Sequence, residues 1–116
     1  MDGEITSDEL KTALESDEPL IIDIRNPPSF AREHIAGSVN IPLGRLPAEI
    51  ERVADANHVV TVCPHGKASI RAARLVASFG GFDGTVESLA CGLEGWDGPV
   101  ESATGESSSG AVDAPF

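Results

Sequence analysis

The sequence is poor in positive charge and especially in lysine. Only two lysines occur, Lys11 and Lys67, and the chain has 8 basic residues against 19 acidic ones, a formal net charge of −11. Nucleic acids and anionic membranes are polyanions, so neither is an expected partner. A dispersed acidic surface with little lysine fits a halophilic prokaryote, because salt of about 1 M shortens the Debye length to about 3 Å and screens self-repulsion. An ordinary acidic mesophilic protein is the alternative.

Long hydrophobic runs and cysteines are also scarce. No apolar stretch approaches the roughly 20 residues of a membrane span, and the N-terminal MDGEITSDEL lacks the basic and apolar regions of a signal peptide. The two cysteines, Cys63 and Cys91, are far apart in the chain, and no histidines or cysteines have metal-site spacing. We therefore expect a cytoplasmic protein with no structural disulfide, no metal and no cofactor.

The length of 116 residues and the hydrophobic fraction of 41% predict one globular domain. Strands and helices alternate along it, which indicates an α/β fold: a central parallel sheet with helices on both faces and a ligand site beyond the carboxyl ends of the strands. The predicted strands are 19–24, 39–43, 58–62 and 85–89. The predicted helices are one after the Thr6–Glu9 capping box, one turn around 30–33, one over 46–53, and one from Ser69 that ends at Gly80-Gly81.

The C-terminal residues have a different composition. The predicted domain covers residues 1–101, whereas residues 102–116 are acidic, rich in serine and glycine, and without hydrophobic periodicity. Such a segment has little apolar surface to bury, so we expect a mobile tail.

The segment VVTVCPHGKASIRAARLV places Cys63 between a predicted strand and a predicted helix. In such a loop, backbone N–H groups and the positive end of the helix dipole can converge on the sulfur and lower its pKa below about 8.5. Gly66 allows a tight curl, Lys67 adds a cation, and Ser69 can cap the helix or donate a hydrogen bond. An inert buried cysteine explains this spacing equally well.

Three blocks of the sequence together resemble the rhodanese family. IIDIRNPPSFAREHIAGSVNIPL is similar to its N-terminal signature, VVTVCPHGKAS to its six-residue active-site loop, and GGFDGTVESLACGLEGWDGPVE to its closing segment. The blocks keep the family's order and spacing over roughly residues 19 to 101. The Cys-x-His-Gly-x-x-Ser loop looks most like that of bacterial single-domain thiosulfate sulfurtransferases.

The resemblance implies a single rhodanese domain that moves sulfane sulfur from thiosulfate or a persulfide donor to a thiophilic acceptor, such as cyanide or a thiol. Cys63 would be the nucleophile and persulfide carrier. The cradle for the transferred sulfur and the donor's anionic oxygens would be formed by Pro64, His65, Gly66, Lys67, Ala68 and Ser69. Partners would be small anionic donors, thiol or cyanide acceptors and a sulfur-accepting protein; we expect a monomer, although the sequence carries no signal of oligomeric state.

The sequence departs from the family pattern at two places. Many family loops carry arginine where Pro64 and Ala68 stand, so Lys67 is the only side-chain cation, and lysine selects oxyanions less well than a bidentate arginine. The preference for thiosulfate therefore stays open. Cys91 replaces a glycine near the end of the family pattern, and it is either a packed small residue, which we favour, or a resolving partner for Cys63.

Other polar and aromatic residues have mainly structural interpretations. Asp23, Arg25 and His34 are expected to support the loops around the site. His65 is interpreted as pocket wall or modest electrostatic tuning, because a stabilised thiolate needs no general base. Trp96 is expected to anchor the core.

Four functions compete. Besides a sulfurtransferase, the chain could be a persulfide carrier or sulfur-relay module with little turnover of free thiosulfate, which the weak cation set favours. A phosphatase or arsenate reductase on the same fold needs a loop one residue longer that ends in arginine, whereas this loop ends at Ser69. A catalytically inactive interaction domain is disfavoured by the presence of Cys63.

Overall fold

The computed structural model describes residues 2–16 and 18–102. Its strands are β1 (Asp2–Ile5), β2 (Leu20–Asp23), β3 (His34–Ile35), β4 (Val39–Asn40), β5 (His58–Val62), β6 (Thr85–Leu89) and β7 (Val100–Glu101). Its α-helices are α1 (Ser7–Ser16), α2 (Pro27–Arg32) and α3 (Ala68–Ser78). Short 3₁₀ helices cover Leu43–Arg45, Ile50–Val53 and Leu93–Gly95.

Five strands form a parallel sheet in the order β1-β6-β5-β2-β4, and β3 pairs antiparallel with β7 in a separate two-stranded sheet. β5 is the central strand, with β6 on one side and β2 on the other. The carboxyl end of β5 therefore opens at the middle of the sheet edge, where parallel α/β folds place their ligands.

Helices cover both faces of this sheet. Alternate residues of a strand point to opposite faces, and Val59 of β5 packs in the hydrophobic cluster that contains Ala72 and Val76 of α3. Val60, the next residue, packs in the cluster that contains Leu10 of α1. The predicted α/β class, with a central parallel sheet and helices on both faces, is confirmed.

The capping box at the start of α1 is present. The Glu9 backbone N–H donates to the Thr6 hydroxyl oxygen at 3.1 Å, and the Thr6 N–H donates to the Glu9 carboxylate at 2.9 Å. These two bonds satisfy donors at the open helix end, so α1 begins at the position that the sequence indicates.

Two predicted helices differ from the structure. The turn expected around 30–33 is instead α2, which starts at Pro27: the Asn26 side chain accepts from Ser29 N–H, and proline is favourable in the first helical turn. The helix expected over 46–53 is wrong, because 3₁₀ helices cover only Leu43–Arg45 and Ile50–Val53, with turns between them. Leu46, in the turn after the first 3₁₀ helix, and Val53, at the end of the second, are still buried.

The prediction of a mobile tail falls almost wholly outside the described residues. Ser102 is the one tail position that is described, and its hydroxyl donates to the Ala31 carbonyl at 3.2 Å. Within residues 2–16 and 18–102, no helix has the length and apolar character to cross a bilayer.

Candidate active site

Cys63 directly follows the last residue of β5, and α3 begins five residues later at Ala68. The intervening chain must turn within four residues, and Gly66 has a φ of +82°, the left-handed region that glycine adopts without strain. Cys63 is only 2% exposed. The loop therefore curls around a buried sulfur atom at the carboxyl end of the central strand.

Backbone N–H groups at two positions of the loop point at this sulfur. Gly66 N–H donates to Cys63 Sγ at 3.1 Å, and Ser69 N–H donates at 3.3 Å. The Ser69 hydroxyl oxygen lies 3.3 Å from the same sulfur. Ser69 belongs to the first turn of α3, whose N–H groups lack intrahelical partners and carry the positive end of the helix dipole.

The pKa of Cys63 is lowered by this arrangement. Burial, the largest single influence, raises the pKa because it disfavours the charged form. The Ser69 hydroxyl and the backbone N–H groups of Ser69, His65 and Gly66 together outweigh it, because they stabilise the thiolate. The site therefore supplies a buried sulfur with more thiolate character than an ordinary cysteine, which is the reactive form.

A second layer of hydroxyl groups holds Ser69. Its hydroxyl lies 2.6 Å from that of Ser88, a fully buried residue of β6. Thr61 of β5 donates its hydroxyl to the Ser69 carbonyl at 2.7 Å. The roles of Thr61 and Ser88 were not predicted from the sequence. The available signal is that both are hydroxyl residues inside otherwise apolar strands. Pairing of β5 with β6 places them side by side.

The segment after β6 packs directly on the cysteine loop. Leu93 N–H donates to the Cys63 carbonyl at 2.8 Å, and Glu94 N–H donates to the Pro64 carbonyl at 3.2 Å. A Cβ atom at Gly66 would collide with the Ala90 carbonyl, and one at Gly92 would collide with the Pro64 carbonyl. Only glycine at these two places lets the segments approach so closely.

The charged and exposed residues of the loop surround its mouth. Pro64, His65, Lys67 and Ala68 are all exposed. His65 Nε2 lies 3.7 Å from the Glu94 carboxylate, an exposed pair, and Lys67 has no ion pair with any described residue. The loop thus binds the sulfur through backbone N–H groups and Ser69, while its side-chain charges lie outside.

Asp23 and Arg25 form an ion pair at the carboxyl end of β2. Arg25 binds the Asp23 carboxylate through Nε at 2.9 Å and Nη2 at 2.7 Å, and Asp23 is 1% exposed. The Asn40 side-chain amide donates to the carbonyls of both residues, at 3.0 and 2.9 Å. This network connects the ends of β2 and β4, and none of its hydrogen bonds involves Cys63.

His34 and Trp96 fill structural positions. The His34 ring stacks on Phe30 with centroids 3.8 Å apart, and its Nδ1 lies 2.7 Å from the Phe30 carbonyl. Trp96 is buried against the sheet face covered by α1, and its indole N–H donates to the Pro99 carbonyl at 3.2 Å. Neither contact involves the cysteine loop.

Cys91 is half-buried, and burial raises the pKa of its thiol. Its Sγ lies 3.3 Å from the Gly92 carbonyl, to which the S–H can donate. Both cysteines are free thiols. A raised pKa makes Cys91 the less reactive of the two. Among the residues described, no three histidine, cysteine, aspartate or glutamate side chains cluster to hold a metal ion.

The fold and site define a class of protein: a parallel α/β domain with a buried cysteine in the loop that leads into a helix N-terminus. The model of the rhodanese-like domain matches residues 6–98, and the chain belongs to that family. This match confirms the resemblance carried by the three sequence blocks.

Curated relatives include proteins named for sulfur chemistry. The chain is 36% identical over 96 residues to a thiosulfate sulfurtransferase, GlpE, of Pseudomonas fluorescens strain Pf-5, with 80% of this chain and 85% of that protein covered. It is 30% identical over 99 residues to YrkF of Bacillus subtilis strain 168, named as a candidate sulfur carrier protein, with 84% of this chain covered. The matched region spans about half of YrkF, 52% of its length.

Solved structures share the fold. The solution structure of the rhodanese-like domain of the Anabaena protein Alr3790 superposes with a TM-score of 0.75 at 25% identity, covering 100% of this chain and 92% of that one.

Proposed function

We propose that the protein is a sulfurtransferase that carries sulfane sulfur as a persulfide on Cys63. The observation that carries this proposal is the buried Cys63 sulfur, held by the N–H groups of Gly66 and Ser69 and by the Ser69 hydroxyl, with a lowered pKa. A persulfide needs a thiolate to form it and hydrogen-bond donors to stabilise its terminal sulfur.

With thiosulfate as donor, the Cys63 thiolate attacks the sulfane sulfur. A new S–S bond forms to Cys63, the bond between the two thiosulfate sulfurs breaks, and sulfite leaves with its electron pair. In the second half-reaction, cyanide or a thiolate attacks the terminal sulfur and Cys63 leaves as the thiolate. The donor set at the loop is suited to both steps, because it stabilises negative charge on sulfur without a proton shuttle.

A second candidate is a sulfur-relay module that receives sulfur from a protein persulfide and turns over little free thiosulfate. Lys67 is the only cationic side chain within the loop body, if His65 is neutral, and the chain carries a net charge of −11. Both features weaken the attraction of a small dianion. The name of the relative YrkF is consistent with this alternative.

We also propose that the protein acts in the cytoplasm as a monomer, on small anionic donors and on thiol or cyanide acceptors. Two free thiols, one of them needed as a nucleophile, suit a reducing compartment.

The proposal is tested by mass spectrometry of the intact protein after incubation with thiosulfate, and separately with inorganic polysulfide. We expect a gain of about 32 Da, one sulfur atom, that dithiothreitol removes and that is absent in Cys63→Ser. Loading by polysulfide but not by thiosulfate would favour the relay module. No adduct from either reagent would contradict both functions.

A further inference from the structure

One part of this acidic chain contains no acid. Residues 56–82 include no aspartate or glutamate, although the whole chain has 19 acidic residues. This stretch comprises β5, the cysteine loop and α3. The formal charge of this segment is therefore positive, opposite in sign to that of the protein as a whole.

One side of α3 carries a row of basic residues, which we call the basic ridge. It consists of Lys67, directly before the helix, and of Arg71 and Arg74 within it. Their spacing of four and three residues puts them on the same helical face, and all three are exposed. At a rise of about 1.5 Å per residue, the ridge runs about 10 Å away from the cysteine loop. That length exceeds the reach of a small donor bound at Cys63.

The basic residues of the ridge form no salt bridges with the described part of the chain. Lys11 pairs with Asp97, Arg25 with Asp23, and both Arg45 and Arg52 with Glu49. By contrast, Lys67, Arg71 and Arg74 form no ion pair with the described residues. Arg32, on α2, is the remaining base without such a pair there. Two cations of α3 and the lysine that directly precedes it, none of them paired with a described carboxylate, are thus available to a partner.

The surface beside the ridge is slightly concave. Arg71 and Arg74, together with Leu75 and Ser78, line a depression of about 400 Å³. Leu75 is half-buried, so it adds apolar surface to a lining that also contains two cations. This combination fits an acidic protein segment that also carries apolar groups.

We propose that the basic ridge docks an acidic protein that carries the acceptor thiol, and that this docking delivers the thiol to the Cys63 persulfide. The inference rests on the proposed sulfurtransferase function. The acceptor thiolate attacks the terminal sulfur and forms a new S–S bond, while the bond to Cys63 Sγ breaks and Cys63 leaves as the thiolate. Nucleic acid has the negative charge that the ridge would attract, but it has no thiol. An acidic protein with a cysteine supplies both the negative charge and the acceptor thiol.

The test measures single-turnover transfer from Cys63, loaded with thiosulfate or polysulfide, to three acceptors. These are a synthetic peptide with one cysteine flanked by aspartates, the same peptide with lysines, and dithiothreitol. In Arg71→Glu/Arg74→Glu, transfer to the acidic peptide should fall at least about tenfold at low salt, because charge complementarity sets association rates. Transfer to the basic peptide should rise, and transfer to dithiothreitol should stay within about twofold, since neither arginine contacts the sulfur.

Arg52→Glu is the matched control. Arg52 lines a cleft with Leu20 and His58, the first residues of β2 and β5, so it lies at the opposite edge of the sheet from Cys63. It is matched to the single reversal Arg74→Glu, because each of these two variants changes the net charge by −2. Arg52→Glu should leave transfer to the acidic peptide unchanged, whereas Arg74→Glu should lower it. Circular dichroism sets the lowest salt concentration at which every variant is folded, and Arg71→Gln/Arg74→Gln replaces the double reversal if that variant unfolds.

The two proposals can fail separately. Binding of the fluorescently labelled acidic peptide to Cys63→Ser tests the ridge even if no persulfide forms. Equal binding and transfer in the ridge variant and in Arg52→Glu would overturn the docking proposal. A concentration-dependent dimer that is lost in the ridge variant would also overturn it, because the ridge would then bind a second copy of this chain. If deletion of residues 103–116 increased peptide binding, the proposal would also be overturned, because the chain's own C-terminal segment would then be the occupant of the ridge.

Discussion

The hydroxyl of Ser88 lies 2.6 Å from the hydroxyl of Ser69. Ser88 is fully buried in β6, and Ser69 is equally buried at the start of α3. Because a hydroxyl rotor turns toward its best acceptor, Ser88 can accept or donate as the charge on Cys63 changes. When Cys63 is a thiolate, Ser69 is free to donate to the sulfur while it accepts from Ser88.

Removal of this hydroxyl chain should raise the pKa of Cys63. Ser69→Ala deletes a hydrogen-bond donor to the thiolate, so it should raise the pKa of Cys63 strongly. Ser88→Ala only removes the partner of the Ser69 hydroxyl, so it should raise this pKa less. The thiolate absorbance near 240 nm, followed against pH, measures the pKa. As the pKa rises, the rate of alkylation by iodoacetamide at neutral pH should fall.

Ser78→Ala is the control for this series, because Ser78 also lies on α3 but donates to the Leu75 carbonyl at the exposed end. It should leave the titration unchanged. A Ser69→Ala titration that superposes on the native one would show that the backbone N–H groups alone set the pKa.

The two cysteines should differ in their importance for sulfur transfer. Cys63→Ser should abolish transfer from thiosulfate or polysulfide to cyanide and keep the fold, because serine is close in size but is a poor sulfur acceptor. Cys91→Ser should keep turnover within about threefold, since its thiol is less reactive than that of Cys63. Steady-state formation of thiocyanate measures both. A large loss in Cys91→Ser would give Cys91 a resolving or carrier role.

Gly66→Ala should destabilise the fold by about 2 kcal/mol or more. Its φ of +82° is strained for alanine, and the new Cβ would collide with the Ala90 carbonyl. Gly44→Ala is the matched control, because a Cβ there meets no atom within 4 Å. Urea unfolding followed by circular dichroism gives both free energies. Equal stability of the two variants would mean that the loop moves aside at little cost.

Lys67 and salt should act together on thiosulfate binding. Lys67→Ala should raise KM by about fivefold, equivalent to about 1 kcal/mol for one charge-assisted contact, and change kcat less. For the native protein, KM should fall as salt rises toward about 1 M, because screening weakens repulsion by the distant acids more than contacts at the loop. Steady-state kinetics at several salt concentrations test both effects. An unchanged KM in Lys67→Ala would leave anion binding to the backbone alone.

Parts of the fold that rest on local pattern could be predicted from the sequence. The strands at 58–62 and 85–89 have the predicted bounds, and α3 starts at Ala68, one residue before its predicted start. Cys63 was placed in a strand-to-helix loop because apolar runs, glycine and helical periodicity are local signals. β1 was missed because its four residues contain a single large apolar side chain, and its pairing with β6 is a tertiary contact.

The second layer of the site could not be predicted in the same way. Ser88 and Thr61 contact Ser69 only because β5 and β6 pair in one register, which the sequence alone does not specify. The basic ridge needed the structure for a different reason. Its spacing is visible in the sequence, but only the structure shows which bases are paired. Lys67, Arg71 and Arg74 lack carboxylate partners among the described residues, whereas most other bases have one.

The bonds from Leu93 and Glu94 to the cysteine loop tie the reactive thiol to the last part of the domain to be synthesised. Until the chain from β6 through Glu94 has emerged from the ribosome and docked, Ser69 lacks its contact with the Ser88 hydroxyl, and the carbonyls that confine Gly66 are not in place. Cys63 in such a chain is an ordinary thiol of ordinary reactivity. The lowered pKa of Cys63 thus depends on completion of the domain. The pH dependence of alkylation at Cys63 should therefore report whether the domain has folded correctly.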